Sequence, residues 1–182
     1  ALFGIGLSRA RQGGFVDAID SLDSFLRSFP GHALAPQALF ELGQAQLLEG
    51  RPREAIARYQ ELLLAHPTFP QRHSAQLQLA QIHYEQGEYS RVIALLKPLS
   101  EGSEDRDGRV RWRLAQAYHR HARPAPALEL YQDLAALPGT IWPDSVHFAY
   151  GQLLEELDRK DEAVQQYLAV RQSLPESPLG NQ

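Results

Sequence analysis

Small, bulky and helix-breaking residues recur along this chain in one repeating frame. A small residue stands at Gly6, Gly43, Ala80, Ala115 and Gly151. Twelve positions after each comes Ala18, Ala55, Val92, Ala127 or Ala163, and four further on Leu22, Tyr59, Leu96, Tyr131 or Tyr167. The units are spaced by 37, 37, 35 and 36 residues. Pro30, Pro67, Pro138 and Pro175 close four units, and Glu104 takes that place in the third. Apolar positions three and four apart mark helices, because such residues share a helix face. No alternation of period two marks a strand.

Each unit therefore reads as two helices. The first carries the small residue and the second carries the Ala or Val. Where two helices cross closely, a large side chain would push their axes apart, so Gly or Ala is required. The bulky residue four beyond the Ala fills the adjoining gap. Gly13-Gly14, Gly50 and Gly87 break the chain between helices. Pro52 and Pro124 suit a first helical turn, where a missing N–H costs nothing. The pattern predicts ten helices, at about 1–12, 15–29, 35–49, 52–65, 71–86, 89–100, 107–121, 124–136, 143–157 and 160–173. Glu101-Gly-Ser-Glu-Asp-Arg-Asp-Gly108 reads as a polar loop.

A small residue after Leu (Leu42-Gly43), a later Ala, an aromatic four on and a closing Pro together resemble the tetratricopeptide (TPR) family. Five units in one register cover nearly the whole chain. The departure is length: the usual unit has about 34 residues, and the extra residues here follow the Pro, as in Pro30–Pro36 and Pro67–His73. The resemblance implies an all-α fold, a right-handed α-solenoid of about five TPR helix hairpins. Unit bounds fall near 1–33, 34–70, 71–105, 106–141 and 142–175, with a tail over 176–182. The run Ala65-His-Pro-Thr-Phe-Pro and the stretch Leu79–Tyr89 are also similar to bacterial cell-envelope TPR domains. Those include the Tol–Pal-associated periplasmic coordinator and the TPR lipoprotein of the β-barrel assembly machine. A bacterial periplasmic or envelope setting is the expectation, with the cytoplasm as the alternative.

Composition narrows the function. The chain has 182 residues with 43% apolar content, enough for a core. Leu (28) and Ala (23) dominate, which favours helix. Cysteine is absent, which excludes disulfides, thiolate nucleophiles and Cys-based zinc or iron–sulfur sites. No apolar run approaches the roughly 20 residues that a spanning helix needs. A net charge of −4 argues against a nucleic-acid partner. Six arginines (Arg106, Arg109, Arg111, Arg113, Arg120, Arg123) surround Trp112, but Glu155, Glu156, Asp158, Asp161 and Glu162 make the next unit acidic. The basic helix is expected to complement that unit or to take an acidic partner segment.

No enzymatic constellation emerges. The seven histidines read as scattered surface residues, and His119 and His121 are two apart, so they leave a helix on different sides. Metal-ligand pairs on a helix want a spacing of three or four. Glu155-Glu156 and Asp161-Glu162 are sequence neighbours and do not face each other as an acid/base pair. The expectation is no enzyme, no cofactor and no metal.

The informative rows flank the small residues. Three positions before them stand Phe3, Phe40, Leu77, Trp112 and Phe148, and one position after them Leu7, Gln44, Gln81, Gln116 and Gln152. These two rows are four apart and share a helix face. The TPR resemblance places them in a concave groove, with a variable row three or four residues past the glutamines (Leu47 and Leu48, Tyr84 and Glu85, His119 and Arg120, Glu155 and Glu156) and with Arg109 among the expected partner-binding residues. Aromatic rings make binding hot spots, and amides donate and accept to a peptide backbone. The chaperone-type carboxylate clamp of the family uses Lys and Asn where this chain has aromatics and Gln, so that clamp is absent. The expected function is a protein–protein scaffold that binds a peptide or protein segment in its groove. The alternative is a regulatory or accessory domain of a larger enzyme or polysaccharide-export protein. The chain opens at Ala1 already in the apolar pattern, so a piece of a longer protein is expected. Val164, Leu168 and Val170 are expected to serve end-to-end self-association.

Overall fold

A computed structural model describes residues 1–102, 105, 107–138, 140 and 142–173, with the side chains of 172 and 173 outside the description. Glu104, Arg106, Pro175 and the 176–182 tail lie outside the described residues. Ten helices run along the chain: α1 (Leu2–Arg11), α2 (Phe15–Ser28), α3 (Ala35–Leu48), α4 (Pro52–Ala65), α5 (Arg72–Glu85), α6 (Tyr89–Ser100), α7 (Arg109–Arg120), α8 (Pro124–Ala136), α9 (Pro143–Glu156) and α10 (Lys160–Ser173). No strand occurs among the described residues. Every helix expected from the sequence is present, with ends within two residues of expectation. The chain divides after Ile82, inside α5, into two compact units.

In the first unit α1 packs on α2, α2 on α3 and α3 on α4. Ala18, Leu22, Phe25, Ala38, Leu42 and Ala45 form one apolar cluster there. In the second unit α6 packs on α7, α7 on α8, α8 on α9 and α9 on α10. Val92, Leu96, Leu114, Ala127, Leu134 and Val146 are fully or almost fully buried.

The repeat frame has a direct steric cause. A Cβ built on Gly6 would stand 2.7 Å from Leu22 Cγ, one on Gly43 2.9 Å from Tyr59 Cε1, and one on Gly151 2.5 Å from Tyr167 Cε1. The small residue therefore makes room for the bulky residue sixteen positions on, while the intervening Ala (Ala18, Ala55, Ala127) is itself wholly buried. The repeat frame predicts the close approach at the small residue and the Ala, with the bulky residue in the adjoining gap. The structure puts the tightest contact under the Leu or Tyr ring.

A second regularity follows the small residue by seven. Gly13, Gly50, Gly87, Ala122 and Asp158 all have positive φ, from 54° to 79°. After each, the next amide donates back five residues: Gly14 to Arg9 O, Arg51 to Gln46 O, Glu88 to His83 O, Arg123 to Tyr118 O and Arg159 to Leu154 O, at 2.7–2.9 Å. This is the left-handed closure that satisfies the orphan carbonyls of a helix end. Three hairpins use Gly, which enters that region freely. The other two place Ala and Asp there.

The 101–108 stretch is more than a polar loop. Asp105, 7% exposed, accepts from the amides of Val110 (2.9 Å) and Arg111 (3.0 Å) and so caps α7. The Arg111 guanidinium pairs with the same carboxylate at 2.9 Å and donates to Asp105 O at 2.7 Å. Arg111 is thus spent inside the fold, and the expected surface cluster of arginines loses it. Arg109 pairs locally with Asp107 at 2.9 Å.

Candidate functional site

The expected groove face separates into residues that are available and residues that are not. In the first unit Phe40 is 6% exposed. Its ring packs on Tyr59 (6.0 Å between centroids) and on Phe69 of the α4–α5 loop (6.2 Å). Phe40 is a core ring, which corrects its placement on a binding surface. Gln44, Leu77 and Gln81 remain partly exposed. In the second unit Trp112 is half-buried between Tyr131 (5.9 Å) and Trp142 of the α8–α9 loop (6.4 Å). Phe148 is 51% exposed although it rests on Tyr167. Rings at one repeat offset therefore differ, because loop aromatics such as Phe69 and Trp142 cover some of them.

A pocket of about 400 Å³ opens in the second unit. Five of the expected residues, Tyr84, Gln116, His119, Arg120 and Gln152, line it. Glu156 of the variable row also lines it, and Tyr131 and Ala149 complete it from outside the expected rows. Leu77, Gln81, Arg109, Trp112 and Phe148 do not line it. Tyr131 was legible only as a packing residue of a second helix. Nothing in its spacing announced that it also floors a pocket.

The pocket walls are held by specific bonds. Arg113 Nη1 donates to Gln116 Oε1 at 3.0 Å, which occupies the amide oxygen and leaves the Gln116 NH2 as the free end. The same guanidinium lies over the Tyr84 ring, 4.9 Å from its centroid, a cation–π arrangement. Burial lowers the Arg113 guanidinium from its usual value, and the nearby Tyr84 and Glu85 partly oppose that shift. His119 Nε2 meets Glu156 Oε2 at 2.9 Å, linking α7 to α9. The His119 ring stands edge-on to Tyr131, 6.1 Å between centroids. Tyr131 is 1% exposed, and burial, with a smaller effect of Tyr84, raises its phenol well above the usual value. Arg120 is exposed, and a side-chain hydrogen bond with Tyr84 raises its already high value. It makes no ion pair to a carboxylate among the described residues.

The histidines are not all surface residues. His83 is 4% exposed, and its Nδ1 lies 2.6 Å from Glu88 Oε2. Glu88 in turn holds Arg91 Nη1 at 2.8 Å. This corrects the surface reading for His83: it closes the α5–α6 turn. His119 and His121 do leave on different sides, His119 to Glu156 and His121 Nε2 to Ser90 Oγ at 3.1 Å. Glu155 accepts from the Tyr167 hydroxyl at 3.0 Å, so Glu155 and Glu156 serve separate partners. Among the described residues no group of three or more His, Asp or Glu could hold a metal ion. No described helix is long and apolar enough to cross a membrane.

Comparison with known proteins agrees with this architecture. Two family models described as tetratricopeptide repeat match residues 3–52 and 47–107. No curated protein matches the chain significantly. Among solved structures, "MamA 41-end from Desulfovibrio magneticus RS-1" superimposes with a TM-score of 0.83 at 17% identity, covering 97% of this chain and 95% of that one. "Crystal structure of MamA protein" gives 0.83 at 18%, with coverage of 96% and 91%. "Crystal structure of MamA" gives 0.79 at 19%, with coverage of 91% and 92%. At these identities the likeness is one of fold.

Proposed function

Because the chain belongs to the tetratricopeptide-repeat family, a family of protein-interaction scaffolds, we propose that it is non-catalytic and binds an extended peptide segment of a partner across the α7–α9 face of its second unit. The observation that carries this reading is the convergence of Tyr84, Gln116, His119, Arg120 and Gln152 on one pocket. All five follow the small residues Ala80, Ala115 and Gly151 at the offsets where the sequence places the groove. The amides of Gln116 and Gln152 suit a peptide backbone, which needs donors and acceptors without a fixed side chain. Phe148, half-exposed on the same helix as Gln152, supplies an apolar anchor of the kind that dominates binding energy.

The favoured setting is the bacterial envelope, on the loop style of residues 65–70 and 79–89. A signal peptide or lipobox in the full gene supports it, and a fused catalytic domain supports the accessory-domain reading instead. End-to-end association through Val164 and Leu168, both exposed on α10, is a further part of the proposal, read by light scattering against concentration.

The test is comparative affinity capture. Tagged wild-type chain, the Gln116→Ala/Gln152→Ala double variant and Glu129→Ala are incubated with lysate, and bound proteins are identified by mass spectrometry. Glu129 lies exposed on α8, outside the pocket. Partners lost from the double variant and kept by Glu129→Ala support the reading. Partners lost from Glu129→Ala and kept by the double variant overturn it.

A further inference from the structure

The pocket's polar groups are unevenly committed, and their pattern specifies a ligand. Gln116 has its oxygen engaged by Arg113 and turns out a donor. Arg120 carries a positive charge with no carboxylate partner among the described residues, beside the Tyr84 hydroxyl. The Glu156 carboxylate, also in the lining, is bonded to His119 at 2.9 Å, which engages one of its oxygens. Donors remain for a ligand, foremost the Arg120 N–H groups beyond the one at Tyr84 and the amide of Gln116, beside a partly dry wall made by Tyr131. Charge-assisted bonds to such a set are the stronger kind of hydrogen bond.

We propose that this pocket is a carboxylate subsite, in which Arg120 and Gln116 take an acidic group of the bound segment against the opposing charge of Glu156, which His119 holds. The inference rests on the peptide-binding reading above and adds the chemistry of one subsite. The arrangement differs from a clamp built on Lys and Asn, since the charge comes from the end of α7 (Arg120) and the amide from its middle (Gln116). The carboxylate has two sources, an internal Asp or Glu side chain or the C-terminus of the partner chain, and both present the same anion.

The experiment uses the whole chain and fluorescent heptapeptide pools with random flanks. Three pools have both ends capped and a fixed central Glu, Gln or Lys. A fourth has a central Gln and a free C-terminal carboxylate. Binding is read by anisotropy and located by amide shifts of ¹⁵N-labelled protein at Gln116 and Gln152. The expected result is tighter binding of the Glu pool, the free-carboxylate pool, or both, over the capped Gln pool, and which of the two gains identifies the source. Arg120→Gln should weaken the carboxylate pools about ten-fold, and Glu156→Gln should strengthen them a few-fold. Arg123→Gln, outside the pocket, should leave them unchanged. Equal binding of the capped Glu, capped Gln and free-carboxylate pools with shifts at Gln116 overturns the carboxylate subsite and leaves peptide binding standing. Preference for the Lys pool, or indifference to Arg120→Gln, also overturns the subsite. Shifts that avoid the pocket with every pool overturn both.

Discussion

Two helical glycines should respond to alanine with opposite signs. Gly4 in α1 has nothing within 4 Å of the place a Cβ would take, whereas a Cβ at Gly151 in α9 would stand 2.5 Å from Tyr167 Cε1 and 2.9 Å from Cδ1. Alanine gains about 0.5–1 kcal/mol over glycine inside a helix, from the entropy the glycine loses on folding. Gly4→Ala should keep that gain. At Gly151 the same gain opposes overpacking, which costs roughly 1–3 kcal/mol when the core must shift. Tyr167 cannot simply swing away, since its hydroxyl donates to Glu155 at 3.0 Å and its ring rests on Phe148 at 5.9 Å. The fourth hairpin accommodates Ala115 opposite Tyr131, so a shift of helix spacing is available, and the cost belongs near the middle of that range, about 2 kcal/mol, rather than at its top. Gly151→Ala should therefore lose about 1 kcal/mol net. The two variants should differ by roughly 2 kcal/mol, which for a chain of this size separates their melting midpoints by several degrees. Urea titration followed by circular dichroism, with equal slopes required of all variants, measures the difference. A Gly151→Ala chain as stable as Gly4→Ala would show that the frame is not set by this contact.

Ala55→Leu and Ala127→Leu, both at wholly buried crossings, should each destabilise by about 1–3 kcal/mol; Ala57→Leu, exposed on the same α4, should be near neutral in the same melts. Ala122→Gly should stabilise by about 0.5–1 kcal/mol, because relief of a left-handed non-glycine outweighs the added freedom of the unfolded chain; a loss of stability there would refute the turn argument. The His83 hydrogen bond, with Arg91 helping, holds Glu88 below its ordinary value of 4.5 against the opposing effect of burial. A carboxylate depressed in the folded state adds stability above its unfolded value and loses it as pH falls through the folded one. Melting midpoints should therefore fall on acidification below about pH 4.5, and Glu88→Gln should flatten that part of the profile.

The helices and the hairpin register were legible because steric demands repeat. Gly6, Gly43 and Gly151 each face a bulky side chain, and such a requirement survives in any sequence that keeps the crossing. The left-handed turns were half legible: Gly13, Gly50 and Gly87 announce themselves, while Ala122 and Asp158 adopt the same backbone without the residue that signals it. The site was less legible. Phe40 and Phe148 occupy one repeat offset, yet one is 6% and the other 51% exposed. An offset fixes the direction a side chain leaves its helix, and it does not say which loop ring lies on top. Arg111 looked like its neighbours in a basic helix until Asp105 drew it inward. His83 carried no sign of burial, since its partner Glu88 lies across a turn. Tyr131 belongs by frame to the packing row, and its second role as a pocket wall exists only where α7, α8 and α9 meet.

The central claim is that a partner segment lies on the α7–α9 face of the second unit. A photo-crosslinking residue placed at Gln116, and separately at Glu129 on α8, tests it most directly. The account predicts that the partner identified by affinity capture crosslinks from position 116 and not from 129, with the attached peptide carrying Asp, Glu or a C-terminus within a few residues of the attachment point. Crosslinks from 129 with none from 116 would contradict it.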